Sequence, residues 1–182
     1  MGTIKKLFSY YWNICLFKDS PENTPYSLIL LFIGLVLFTS IMSVQWSFSD
    51  FDFSNDLLLV FIAGLSLALS FIIYTAMILF LKGLKVRIVQ TSTSLLFVHS
   101  IIHLLAMPLF IVDPYLTHVN LKNPIFLLIG VLYLFVTLGL SIWQFIVTAH
   151  VYKFALNTTP TQSVLAAFGL VAVNVLTLSF WR

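Results

Sequence analysis

Charge is scarce in this sequence: nine Lys or Arg and six Asp or Glu make up 8% of 182 residues, where a soluble domain carries roughly 25%. That excludes a surface solvated by water. Cysteine is scarcer still, with Cys15 alone, so no internal disulfide can form and no Cys-based zinc spacing exists. No Asp or Glu falls inside any long apolar run, which removes the intramembrane carboxylate that a proton- or sodium-coupled transporter usually needs. The motifs of catalysis are missing too: no His-Glu-x-x-His, no rhomboid-type Gly-x-Ser, no phosphate-binding glycine loop and no Ser/His/Asp set at matching levels. The chain reads as a non-enzyme. The nine basic residues are scattered through short turns and form no patch, so nucleic acid is set aside.

What is present is apolar. Hydrophobic residues make up 60% of the chain and the mean hydropathy is +1.07. Five runs reach the ~18 residues that mark a bilayer-spanning helix: 27–46, 57–81, 89–112, 124–150 and 161–181. Only short polar segments separate them: "SFSDFDFSND", "KGLKVR", "DPYLTHVNLKN" and "YKFALNTTPTQ". The expected fold class is therefore all-α, a polytopic membrane protein of five transmembrane helices (26–182) preceded by an N-terminal amphipathic interfacial segment (1–25). No internal repeat of fixed period suggests an inverted-repeat transporter.

Lys and Arg in short loops set orientation. With the N-terminus cytoplasmic, Lys5, Lys6, Lys18, Lys82, Lys85, Arg87 and Lys153 fall inside, and Lys122 and Arg182 outside, together with Asp50, Asp52, Asp56 and Asp113. The C-terminus then lies outside. Asn157-Thr158-Thr159 matches a glycosylation sequon, but this topology puts it in a cytoplasmic turn where it is not used.

The first 25 residues lack the short apolar core and small-residue cleavage site of a secretory signal. Ile4, Leu7, Phe8, Tyr11 and Cys15 recur at helical spacing, with Lys5, Lys6, Ser9 and Asn13 opposite. This predicts an amphipathic helix in the cytoplasmic headgroup layer, with Lys5, Lys6 and Lys18 as membrane-surface contacts worth about 1 kcal/mol each on anionic lipid, or a docking helix for a partner. Met-Gly lacks the hydroxyl residue of a myristoylation site. Pro21 and Pro25 end the segment.

Polar groups inside spans are costly and face the bundle interior. Ser66, Ser70 and Tyr74 form one stripe on the second span; Tyr133, Thr137, Ser141, Gln144, Thr148 and Tyr152 form another on the fourth. Gly64, Ala68, Gly130 and Ala149 permit close approach, and Asn174 is placed for an interhelical hydrogen bond. These residues read as helix-packing glue or as the wall of a lipid or substrate groove.

His99 and His103 lie one turn apart on one face of the third span, ~6 Å along the axis, aligned with Ser92, Leu96 and Met107. Two ligands on one face of a helix cannot clamp a haem between them. A metal would need a third ligand at their depth, and only Gln144, Ser70 and Tyr74 are at that level, all poor donors. His150 is near the cytoplasmic end and His118 in an outer loop. Satisfied interior histidines, and proton or quinone chemistry, both remain open.

The approach "CLFKDSPENTPYS" and the stretch "LKVRIVQTSTSLLFVHSIIHLLAMPLF" resemble the layout of small five-span Yip1-like membrane proteins: a proline-bearing lead into the first helix, then a cytosolic turn into a helix ending near a proline. The long cytosolic N-terminal region and the Asp-Leu-Tyr-Gly type signature of eukaryotic members are missing. The resemblance implies a non-enzymatic scaffold with a cytoplasmic N-terminus and partners in the membrane, and carries over no site residue.

The expectation is thus an integral membrane scaffold or accessory subunit, in a bacterial inner membrane, binding other membrane proteins or itself through helix faces. The alternative is a site for a small hydrophobic ligand or redox cofactor, quinone or haem, around His99, His103, Gln144 and Tyr74. A transporter or lipid-handling protein is the third class.

Overall fold

Backbone groups in a bilayer must be satisfied within their own segment, so long apolar runs become helices. The structure, a computed structural model, describes residues 2–48, 56–117 and 124–181. In chain order the helices are α1 (Gly2–Cys15), α2 (Leu28–Ser47), α3 (Leu57–Leu81), α4 (Ile88–Thr117), α5 (Pro124–Ala155) and α6 (Pro160–Ser179). Short 3-10 turns at Pro21–Asn23 and Lys85–Arg87 precede α2 and α4. Among the described residues five helices, α2 to α6, are long and apolar enough to cross a membrane. The polytopic all-α architecture expected from hydropathy is the one observed.

Helix ends follow local chemistry. Ser27, Asp56 and Thr159 sit at N-caps and accept hydrogen bonds from first-turn amides. Three helices end in the same left-handed turn. After α3, Gly83 takes φ +74°, with Leu84 N–H bonded to Leu79 C=O and Gly83 N–H to Phe80 C=O. After α5 the left-handed residue is Asn157 (φ 48°), and after α1 it is Phe17 (φ 61°), each with the same pair of bonds. A left-handed Phe costs about 1–2 kcal/mol; here its ring lies edge-on to His150, 5.2 Å between centroids.

Two helices run past their expected ends. The third span was expected to stop at 112, yet α4 runs on to Thr117 through Pro108 and Pro114. Proline removes one backbone donor per residue, but an apolar chain in lipid has no better alternative than to continue the helix. Likewise α5 continues past 150, because Val151, Tyr152 and Ala155 are buried.

The helices form a ring in the order α2, α3, α6, α5, α4, with α3 also touching α4. Its centre is the N-terminal half of α4, where every residue from Thr91 to Ile102 is buried. Gly64 permits the α2–α3 approach, since a Cβ there would meet Thr39 C=O at 3.3 Å. Gly130, expected to play the same part, has nothing near it.

The first 25 residues pack on the bundle. Tyr11, Ile14 and Cys15 are fully buried and belong to the same core as α4 and α5. Tyr11 stacks on Phe97 (4.4 Å, 3°), Trp12 meets Trp143 edge-on, and the Trp143 indole donates to Cys15 C=O at 3.0 Å. A helix with the expected apolar face is present, but part of that face is spent on protein; Phe8 stays 54% exposed. Phe97 and Trp143 stand ten residues from Arg87 and Lys153 along their helices, about 15 Å, so the contacts of Tyr11 and Trp12 lie that far from the end of the bundle that carries those two basic residues. Lys5, Lys6 and Lys18 are exposed. Thr24 ties the following segment to α4, its hydroxyl 2.7 Å from Ser94 Oγ and its carbonyl accepting from Gln90. Arg87 completes the basic end, pairing with Glu22 at 2.7 Å and donating to Phe154 C=O at the end of α5.

Candidate functional site

Helical spacing brings His99 and His103 to one face of α4, and the packing of α2, α3 and α5 decides what they meet. His99 is 3% exposed. Its Nε2 lies 2.9 Å from Thr148 Oγ1 on α5, and its Nδ1 lies 2.7 Å from Gln144 Nε2. The same Gln144 nitrogen is 3.4 Å from His103 Nε2. His103 Nδ1 is 3.0 Å from Gln45 Oε1 on α2, and Gln45 Nε2 donates to the His103 carbonyl at 2.6 Å. Five side chains from three helices form one chain: Thr148, His99, Gln144, His103, Gln45. Phe71 and Phe38 close over the two imidazoles edge-on, at 4.7 and 5.8 Å.

The proton positions in this chain follow from one group that can only accept, the His103 main-chain carbonyl. Gln45 must turn its NH₂ toward that carbonyl, which leaves Oε1 toward His103 Nδ1. Nδ1 therefore carries the proton and donates. Neutral His103 then has a bare Nε2, which accepts from Gln144. Gln144 is fixed with its NH₂ toward both rings, so His99 Nδ1 is bare and His99 Nε2–H donates to Thr148. The Thr148 hydroxyl in turn donates to Gln144 C=O at 2.8 Å. Each imidazole nitrogen has a partner, and both Gln144 N–H bonds are used. Its side-chain Oε1 has no donor among the described residues.

Gln144 also divides two cavities. One, of about 440 Å³, lies between α5 and α6 and is lined by His99, Gln144, Thr148, Asn174 and apolar side chains including Phe145 and Leu170. Its rim residues Ile142, Phe168, Val171 and Val175 are exposed, so it opens on the lipid-facing side of the bundle. The other, of about 140 Å³, lies between α4 and α5 beside His103, Tyr133 and Thr137. Among the described residues Asn174 makes no interhelical bond of the kind expected of it, and its Oδ1 is buried without a partner. A third hollow of about 350 Å³ runs under α1 between α2 and α4, with an apolar wall.

Of the expected site, His99, His103 and Gln144 come together and Tyr74 does not. Tyr74 donates to Ala166 C=O on α6 at 2.8 Å, and a Cβ on Gly169 would collide with its hydroxyl. Ser70 turns back to Leu67 C=O in its own helix. Their level is taken by Phe71 instead, because the α3 face toward α4 is one residue round from the hydroxyl stripe. Ser66 accepts from the Trp181 indole at 2.9 Å. Tyr133 donates to Asp113 at 2.7 Å. Thr137 and Ser141 donate to carbonyls one turn back, and among the described residues neither bonds to another helix. Tyr152 meets Thr75 at 2.9 Å.

Gln45 was missed. It is 0% exposed, yet it falls one residue inside the end of the first apolar run, where a polar residue reads as a boundary. Its one signal was being the only amide in that span.

Haem does not fit this site. The two imidazoles lie on the same side of one helix and all four of their nitrogens are engaged. Among the described residues no three His, Cys, Asp or Glu side chains group as metal ligands. His150, two residues past Thr148 on α5, turns away from the two imidazoles to lie 3.2 Å from Asp19 C=O, and His118 lies outside the described residues.

No family model, curated protein or solved structure matches the chain.

Proposed function

We propose that this protein is a non-enzymatic membrane protein that binds a small apolar molecule, taken sideways from the bilayer into the α5–α6 cavity. One observation carries the reading: an apolar hollow with two amide side chains in its wall, Gln144 with an unused Oε1 and Asn174 with a buried, unpartnered Oδ1. Buried polar groups are normally satisfied, and a cavity of this size is within the range that holds small ligands. The His99–Gln144–His103 chain serves to hold Gln144 in place. Cytoplasmic placement of the N-terminus and a bacterial inner membrane are part of the proposal, supported by the basic residues gathered at one end of the bundle.

A second reading, an accessory or scaffold subunit that binds membrane proteins through helix faces, is what the likeness to Yip1-like proteins implies. It is favoured by α5, whose outer half leaves Leu127, Leu128, Leu132, Leu134, Phe135 and Leu138 all exposed.

Native mass spectrometry of protein released gently from its own membrane separates the two. A discrete small-molecule mass that disappears in Val171→Trp, which fills the cavity from its rim, supports the first reading. Added polypeptide mass on a ligand-free chain supports the second and overturns the first.

A further inference from the structure

The donor and acceptor count in the α5–α6 cavity specifies what kind of head group it takes; this inference rests on that cavity being the binding site. Thr148 spends its hydroxyl proton on Gln144 C=O. Ser141 spends its own on Thr137 C=O. His99 gives its one N–H to Thr148, and Gln144 gives both side-chain N–H bonds to the two imidazoles. What remains for a ligand is the Gln144 Oε1, an acceptor fixed by the proton order that starts at the His103 carbonyl, and the amide of Asn174, whose Oδ1 is buried without a partner. The cavity therefore asks for a hydrogen-bond donor and tolerates an accepting lone pair beside it.

We infer that the ligand is an apolar molecule bearing a hydroxyl, an alcohol or phenol of the lipid phase, and that carbonyl and ether forms of the same skeleton are discriminated against. A hydroxyl donates to Gln144 Oε1 and accepts from Asn174 Nδ2. A ketone, a quinone or an ether offers lone pairs only, and meets the Gln144 oxygen with nothing to share. A quinol fits on the same ground that a quinone does not.

The test uses the full chain in phosphatidylcholine nanodiscs and a matched pair of probes, farnesol and farnesyl methyl ether, which share a skeleton and differ in the one proton. The expected result is that farnesol binds about threefold to tenfold more tightly, the range that one net hydrogen bond supplies. Val171→Trp, which leaves the polar chain untouched, is expected to abolish binding of both. Equal binding of alcohol and ether, with the block by Val171→Trp intact, overturns the hydroxyl inference and leaves the cavity as a site. Binding of neither probe, or binding that survives Val171→Trp, overturns the site and the inference together.

Discussion

Replacing Gln144 with Leu puts a number on the polar chain. Leu has nearly the volume of Gln, so little cavity cost arises, and the effect is that of two lost donors. His99 Nδ1 loses a bond of 2.7 Å in a ring that is 3% exposed; an acceptor orphaned there costs about 1–3 kcal/mol. His103 Nε2 loses a longer bond of 3.4 Å, which belongs nearer the average of ~0.6 kcal/mol for interhelical contacts in membranes. The expected loss is about 2 kcal/mol, read by unfolding in mixed detergent–SDS micelles. Ser141→Ala is the control, because Ser141 is exposed and bonded only to its own helix, and it should change stability by less than about 0.5 kcal/mol. A Gln144→Leu loss no larger than that of Ser141→Ala would refute the claim that Gln144 holds both imidazoles. Combining Gln144→Leu with His99→Phe should cost less than the sum of the two, since both remove the same bond.

Three further outcomes follow from other parts of the fold. Gly169→Ala should destabilise the α3–α6 contact by about 1–3 kcal/mol, the scale of an overpacked core, and most of that loss should vanish in a Tyr74→Ala background, measured by the same unfolding titration. Cys15 is 0% exposed and burial pushes its thiol up to about 12; the thiolate that alkylating reagents need is therefore scarce at pH 8. Maleimide should label the native chain slowly and Tyr11→Ala quickly, and fast labelling of the native chain would mean that α1 is not docked on α4. Expressed with eukaryotic microsomes, the chain should carry no glycan at Asn157, and a glycan there contradicts the proposed orientation.

The sequence made the spans legible because hydropathy is a sum over some twenty residues and survives local exceptions. It made the His99, His103 and Gln144 grouping legible because two helical periods, read at matched depth, bring those residues to one level. What it could not convey was rotation. Tyr74 and Ser70 share a depth with His99, but α3 turns Phe71 toward α4, a difference of one residue that only the packing of large side chains against Gly169 and Phe38 decides. Gln45 was illegible for another reason: near the end of an apolar run, a buried glutamine and a boundary glutamine look alike. The fate of α1 was half legible, since an amphipathic pattern tells which face is apolar but not whether lipid or protein covers it.

The proton order of the two histidines tests the account most directly, because the free acceptor on Gln144 depends on it. Nitrogen-15 NMR of the full chain in lipid, with labelled histidine and His99 and His103 assigned by single substitutions, distinguishes protonation at Nδ1 from protonation at Nε2. The account predicts two neutral rings of opposite kind, His103 protonated at Nδ1 and His99 at Nε2. Finding His103 protonated at Nε2 would turn Gln144 around, place its NH₂ in the cavity and contradict both the chain and the ligand class inferred from it.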